Sequence, residues 1–334
     1  MTVSTPGPVA VMGAGSVGCF IGGRLQAAGA RVHYVGRPRV LGALKAAGLH
    51  LSDCDGGPVA IPANRLHLHE QPPADAALVL LCVKSGATAE AAAQLAARLP
   101  SGTPVLSLQN GVANTETAAQ AAPGLAWIPG MVPFNIAEIG PGRFHRGTVG
   151  RLAALDHPAL RPWLPLFEAA DLPLQLHRDM APVQWGKLLL NLNNPVNALS
   201  GLPLRAQLLD RDYRYVLAAL QSEALGVMRD AGIRPARMTP LPPGLLVHVL
   251  RLPTWLFRIV AARMLKIDGQ ARSSMADDLA LGRTTEVEAL CGAVVRLARE
   301  NKQKAPLNAR MLLMLTSAPT GGCSGRRMRH DVGC

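Results

Sequence analysis

Val9-Ala10-Val11-Met12-Gly13-Ala14-Gly15-Ser16-Val17-Gly18 decides the fold. A short continuous apolar run reads as a buried strand. It passes straight into a glycine-rich turn, and Val17 to Ala28 then reads as a helix. Three glycines at this spacing serve a tight turn, a close backbone approach to a pyrophosphate, and close helix–strand packing. The strand before and the helix after supply the context that gives such a motif meaning.

Three more strands end on polar groups. Arg31 to Val35 runs into Gly36-Arg37, Ala77 to Val83 into Lys84, and Thr103 to Leu108 into Gln109-Asn110-Gly111. In an open α/β sheet, ligands bind outside the carboxyl ends of the strands. Gly13, Ala14, Gly15, Ser16, Val17, Gly18, Arg37, Lys84 and Asn110 are therefore the expected cofactor residues. An NAD site would place Asp or Glu at the end of the second strand. This chain has Gly36-Arg37-Pro38-Arg39 there. A guanidinium suits a 2′-phosphate, so NADP(H) is the expected cofactor. A plain surface arginine is the other reading of Arg37.

Helices at Val40 to Ala47 and Ala87 to Leu99 alternate with these strands, with a short strand at Val59 to Pro62 and a hairpin near Arg143 to Leu152. Alternating βα units predict a parallel, doubly wound sheet over residues 1–178. From Asp179 long helical patterns take over: Val183 to Leu199, Tyr213 to Ala231, Pro253 to Leu265, Ser274 to Leu281 and Glu286 to Glu300. The expectation is an all-α domain over 179–317 and a disordered tail over 318–334, where glycine and basic residues replace apolar periodicity.

The 334 residues carry 49% hydrophobic and 17% charged side chains, which supports a large core and excludes global disorder. Net charge is +12, but the cations are scattered and aromatics are only 4%, so nucleic acid is not expected as a partner. The six cysteines form no CxxC pair and read as free thiols in a reducing compartment. A polar N-terminus leading directly into a strand predicts no signal peptide, and a cytoplasmic protein follows. The greasiest stretch, Leu241 to Ile267, is broken by His248, Arg251, Arg258, Arg263 and Lys266. It reads as a lid or packing segment, with a membrane-surface helix as the alternative.

Two polar clusters stand out in the helical half. Lys187, Asn191 and Asn194 fall at i, i+4 and i+7, on one face of an otherwise apolar helix. Beside a bound nicotinamide, a desolvated lysine can complete a ketone reduction by giving its proton. A lysine snorkelling at a helix edge is the competing reading. The second cluster runs from Ser273-Ser274-Met275 through Asp278 to Thr285-Glu286. On one straight helix Ser274 and Glu286 would lie about 18 Å apart. Gly282 is a natural helix stop and Thr285-x-x-Glu288 a capping box, so the chain can turn and bring both to one place. Ordinary capping chemistry is the other reading.

Together these residues resemble the ketopantoate reductase (2-dehydropantoate 2-reductase) family. The match runs from the glycine loop through Lys84 and Gln109-Asn110-Gly111 to Trp185-Gly186-Lys187-Leu188 with Asn191. It continues through Ser273-Ser274-Met275, Asp278, Thr285-Glu286 and Ala305-Pro306-Leu307-Asn308, over roughly residues 8 to 315. The resemblance implies a Rossmann domain followed by a helical domain, with the site in the cleft between them. It implies NADPH-dependent reduction of ketopantoate to pantoate in pantothenate and coenzyme A synthesis. Lys187 would be the general acid, oriented by Glu286. Asn191, Asn194 and Ser274 would hold the substrate, Asn110 would lie between cofactor and substrate, and Arg37 and Lys84 would bind the phosphorylated ribose side. No metal is implied. The expected partner is a small 2-oxoacid, with no membrane contact, and a homodimer is admitted.

The chain departs from the family pattern in places. The eighth residue after Lys187 is Pro195 where a second asparagine is expected, and Asn194 precedes it, so the sequence leaves open which asparagine fills the second role. Cys291 stands in place of an asparagine. The stretch from Met238 to Phe257 is longer and more apolar than the family's, which admits a bulkier 2-oxoacid. The end beyond Leu315 is unlike the family. A non-catalytic NADPH-binding sensor is the competing class, but a sensor would need the glycine loop and Arg37 without Lys187 and Glu286.

Overall fold

β1 (Val9–Met12) is buried along its whole length, as a parallel strand covered on both faces requires. The computed structural model describes residues 5–262, 265, 269–317 and 322–334. It divides into two compact units, Met1–Met180 and Ala181–Cys334.

In the first unit β1 is followed by α1 (Ser16–Ala27), β2 (Val32–Val35), α2 (Pro38–Ala47), β3 (Leu49–Asp53), β4 (Val59–Ile61), β5 (His67–His69) and β6 (Leu78–Leu81). Then come α3 (Thr88–Ala96), β7 (Pro104–Ser107), α4 (Asn114–Ala121), β8 (Ala126–Met131), β9 (Ile136–Gly140), β10 (Arg143–Arg146), β11 (Leu152–Leu155), α5 (Leu164–Ala169) and β12 (Leu174–His177). The main sheet has the order β12-β11-β8-β7-β6-β1-β2-β5. From β5 to β8 every pairing is parallel, and β11 joins β8 antiparallel. The chain starts in the middle, works to the β5 edge, returns, and builds outward from β6. That is the doubly wound Rossmann order, and its reversal lies between β1 and β6.

A second sheet, β4-β3-β10-β9, covers the far side of α1. Small residues let the helix fit between the layers. A Cβ on Gly22 would meet Val11 Cγ2 at 2.8 Å, and one on Gly23 would meet Leu49 Cδ2 and Leu51 Cδ1 at 2.8 Å. Asp53, at the end of β3, is buried between Arg24 of α1 and Arg146 of β10, with Arg146 Nε donating at 2.7 Å. The expected hairpin is displaced. β9 and β10 pair antiparallel around Pro141, with Gly140 and Gly142 at positive φ, whereas β11 pairs with β8 and β12. The Gly-Pro-Gly turn wins because only glycine holds those angles without strain.

Among its described residues the second unit is wholly helical: α6 (Ala181–Asn191), α7 (Asn193–Ser200), α8 (Leu204–Leu209), α9 (Arg211–Asp230), α10 (Pro243–Leu250), α11 (Thr254–Val260), α12 (Ser274–Ala280), α13 (Val287–Glu300), α14 (Pro306–Thr316) and α15 (Gly325–Val332). α9 is the hub. Its Glu223 accepts from the first-turn N–H groups of Leu307 and Asn308 on α14 at 2.9 and 2.8 Å. Its Arg214 is fully buried and donates to the carbonyls of Leu208, Leu250 and Leu252, while its guanidinium stacks on Phe257 of α11. The inner side of α11 is thus anchored, while Trp255, Ile259 and Val260 face solvent. No helix among the described residues is long and apolar enough to cross a membrane.

The disordered tail is corrected. Residues 318–321 lie outside the described residues, but α15 packs on α9 with Met328 and Val332 buried. Arg329 pairs with Asp212 at 2.9 Å, and Tyr213 donates to the Cys323 carbonyl at 2.7 Å. Two apolar residues at i and i+4 suffice for a short helix when a long one already offers a surface, and two are too few to show as periodicity.

Candidate active site

In the first unit the strand ends converge as the sequence requires. Gly13 sits at φ +110°, and a Cβ on it would meet Val83 N at 2.6 Å, so the loop crosses directly over the end of β6. Its N–H and that of Ala14 both donate to Val35 O, at 3.0 and 2.9 Å, which ties the loop to the end of β2. Gly18 abuts the Gly13 carbonyl and Val11, and a side chain there would push α1 off the sheet. Gly15 is different, since a Cβ on it would meet nothing within 4 Å. Gly15 is also the N-cap of α1, where no side chain caps the helix and no acidic residue occupies the first turn. A helix start left open in this way can accept an anion. The donor set therefore fits the pyrophosphate of a dinucleotide, with Ser16 and Val17 opening the helix.

Arg37 is exposed at the N-cap of α2, directly after Gly36. A Cβ on Gly36 would lie 3.0 Å from Ala14 Cβ, so this arginine stands beside the glycine loop. Lys84 is exposed at the end of β6 and opens a short 3-10 turn. The Asn110 backbone is fixed by Ser85 Oγ and Asn114 Nδ2, which donate to its carbonyl at 2.9 and 2.6 Å. A buried network missed in the sequence lies beneath. Gln109 Nε2 donates to Val83 O and Thr88 Oγ1, and Ser107 Oγ donates to Gln109 Oε1, joining the ends of β6 and β7. Its only sequence signal was a glutamine at the end of an apolar strand.

In the second unit Lys187 and Asn191 lie on α6, but Asn194 does not. The straight helix expected through all three breaks at Leu192, and Asn194 belongs to α7. Pro195 is the cause. It has no N–H for the Asn191 carbonyl, and its ring crowds that carbonyl. Lys187 is half-buried, and desolvation of its ammonium pulls its pKa from 10.5 down to about 8.

Ser274 is exposed as the first residue of α12, and Ser273 caps that helix by accepting from Ala276 N at 3.1 Å. Asn197, also missed in the sequence, joins α12 to α7. Its Oδ1 accepts from Ser273 N at 2.9 Å, and Ser273 Oγ reaches the Asn194 carbonyl at 3.4 Å. The structure thus places Ser273, the residue before Ser274, against the Asn194 backbone. α12 ends as Gly282 predicts, at φ +62°, with Gly282 N donating to Leu279 O and Arg283 N to Asp278 O. The capping box does not form. α13 starts one residue later than the box requires, with Glu286 as its backbone N-cap and no side-chain cap bond. Glu288 turns instead to Arg296, at 3.8 Å.

Residues 9–156 match the family model described as "Ketopantoate reductase PanE/ApbA", and residues 179–318 match "Ketopantoate reductase PanE/ApbA C terminal". The chain belongs to the ketopantoate reductase family. It is therefore an oxidoreductase, of a family that works with a nicotinamide dinucleotide. A 2-dehydropantoate 2-reductase of Halobacterium salinarum is 30% identical over 308 residues, covering 90% of this chain and 94% of the relative. One from Mesorhizobium japonicum is 27% identical, covering 94% and 99%. The crystal structure of a PanE/ApbA family ketopantoate reductase from Ralstonia eutropha is 29% identical with a TM-score of 0.78, covering 93% of this chain and 97% of that one.

Proposed function

We propose that this ketopantoate reductase family member reduces 2-dehydropantoate to pantoate with NADPH, a step of pantothenate and coenzyme A synthesis, and that Lys187 is its general acid. The observation that carries the reading is the half-buried placement of Lys187 on α6. A desolvated ammonium with a pKa near 8 is cationic at neutral pH yet gives up its proton readily. It shares α6 with Asn191, a neutral amide suited to a substrate hydroxyl or carboxylate.

The reaction needs a hydride, which the bound dinucleotide supplies, and a proton for the carbonyl oxygen. The Lys187 ammonium stabilises negative charge developing on that oxygen, then transfers its proton to it. Glu286 orients Lys187. Asn191, Asn194 and the Ser274 hydroxyl hold the hydroxyl and carboxylate ends of the oxoacid, and Asn110 separates substrate from cofactor. Arg37 and Lys84 neutralise the phosphorylated ribose, and the open start of α1 holds the pyrophosphate.

The test is oxidation of NADPH and of NADH by the purified chain against a panel of 2-oxoacids, from ketopantoate to bulkier aromatic ones. The expected result is the highest kcat/KM for ketopantoate with NADPH. A bulkier oxoacid preferred by tenfold or more would replace the substrate, and no turnover with any oxoacid would leave a nucleotide-binding protein.

A further inference from the structure

The back of α6 is held at two points. Ala236 N donates to Pro182 O at 2.7 Å in the first turn, and Gln221 Nε2, from α9, donates to Leu189 O at 2.9 Å in the last. Between them a Cβ on Gly186 would meet Ala236 O at 2.5 Å, so the segment after α9 lies directly on the helix. With 3.6 residues per turn, Pro182, Gly186 and Leu189 share one face of α6, and Lys187 and Asn191 stand on another.

Gln221 is chemically out of place there. It is 3% exposed, its Oε1 has no protein hydrogen-bond partner among the described residues, and it borders a void of about 10 Å³ lined largely by apolar groups such as Leu189, Leu190, Leu225 and Leu246. Buried unsatisfied acceptors are rare because they are costly. A leucine or methionine would avoid the orphan and pack the same space. What the amide adds is a donor for the Leu189 carbonyl, in the turn where a helix runs out of its own N–H partners. That turn carries Asn191 and leads into the Pro195 break.

We propose that Gln221 is a positioning residue for the reduction: its amide fixes the last turn of α6 and so sets the placement of Lys187 and Asn191 toward the substrate. The inference rests on Lys187 being the proton donor. A displacement of about 1 Å in a catalytic group costs on the order of a hundredfold in rate.

The experiment compares wild type, Gln221→Met and Gln221→Glu. Methionine keeps the length and removes the donor. A glutamate in apolar surroundings donates only while protonated. Gln221→Met is expected to lower kcat roughly ten- to a hundredfold, to leave NADPH affinity unchanged, and to move the alkaline limb of the kcat profile. Gln221→Glu is expected to regain kcat toward acid pH, which Gln221→Met does not. If Gln221→Met fails to fold by circular dichroism, the Gln221→Glu profile decides. An active wild type with unchanged kcat and limb in Gln221→Met overturns the proposal, as do identical pH profiles for the two variants. A wild type that turns over no oxoacid defeats the assignment of the reaction itself, a separate result.

Discussion

The backbone N–H of Ser273 donates to Asn197 Oδ1 at 2.9 Å, and this buried bond fixes where α12 begins against α7. The same side chain donates to Leu202 O at 2.9 Å, so both ends of the amide are used. Asn197 touches no substrate in this scheme, but it holds Ser273, and with it the start of α12, against α7. Asn197→Ala should cost about 1–3 kcal/mol of stability by thermal or denaturant melts. The KM for the oxoacid should rise while the Kd for NADPH stays put. Equal losses of both affinities would mean that α12 does not serve the substrate.

The glycine loop makes a sharper distinction between folding and binding. Gly13→Ala forces a Cβ onto the Val83 backbone at a φ of +110°, so it should destabilise the first unit by several kcal/mol. Gly15→Ala points a methyl into open space and should leave the melting temperature within a degree or two. It should nonetheless weaken NADPH at least tenfold, because the proposed site has the pyrophosphate approach through that space. A Gly15→Ala chain that binds NADPH normally would move the phosphate elsewhere.

Much of this was legible because it is local. The run Val9–Met12 with its glycine turn, the polar ends of β2, β6 and β7, and the stop at Gly282 each announce themselves within a few residues. What stayed hidden depends on partners distant in sequence. Asn197 and Gln221 are amides on the buried faces of their helices, and nothing near them in the chain names Ser273 or Leu189. α15 has only Met328 and Val332 to bury and owes its order to α9. The break at Leu192 was within reach, since Pro195 forbids the straight helix that the spacing of Lys187, Asn191 and Asn194 assumes.

An acid weakness is built into the edge of the main sheet. His33 is buried on β2 with its Nδ1 2.8 Å from His69 Nε2 on β5. Burial first, then His69, push its pKa down to about 4, with Arg31 and His67 adding to the fall and Asp75 opposing it. The unfolded chain takes up this proton below about pH 6.5, while the folded one refuses it until about pH 4. Stability is therefore full above pH 6.5 and falls as pH drops toward 4, by on the order of 1–2 kcal/mol at pH 5. Melts of wild type and His33→Leu at pH 7.5 and 5 should show the smaller pH effect in the variant. An equal drop in both would assign the acid sensitivity to other groups.

Cofactor choice should reside in Arg37. It is exposed beside the glycine loop, and the β2 end, Gly36-Arg37-Pro38-Arg39, holds no acid for ribose hydroxyls. Arg37→Ala should weaken NADPH roughly ten- to a hundredfold, the worth of a charge-assisted pair, and leave NADH nearly unchanged. Titration of intrinsic or cofactor fluorescence measures both. Equal losses for the two dinucleotides would show that Arg37 does not read the 2′-phosphate.

The proton step can be tested through its pH dependence. Desolvation lowers the Lys187 pKa from 10.5 to about 8, and a general acid acts only while it holds its proton. kcat should therefore be flat on the acid side and fall as pH rises through about 8, the reverse of the profile for a general base. Lys187→Ala should keep its fold and NADPH binding but lose on the order of 10²–10⁴ in kcat, together with that alkaline limb. Lys187→Met, which keeps the stem without the charge, should be as inactive, separating chemistry from packing. Glu286→Ala should also lower kcat, and the double variant should lose less than the two single losses combined, because the proposed mechanism has the pair act as a unit. Near-normal turnover of ketopantoate by Lys187→Ala, with the limb still in place, would hand the proton to water or to another group.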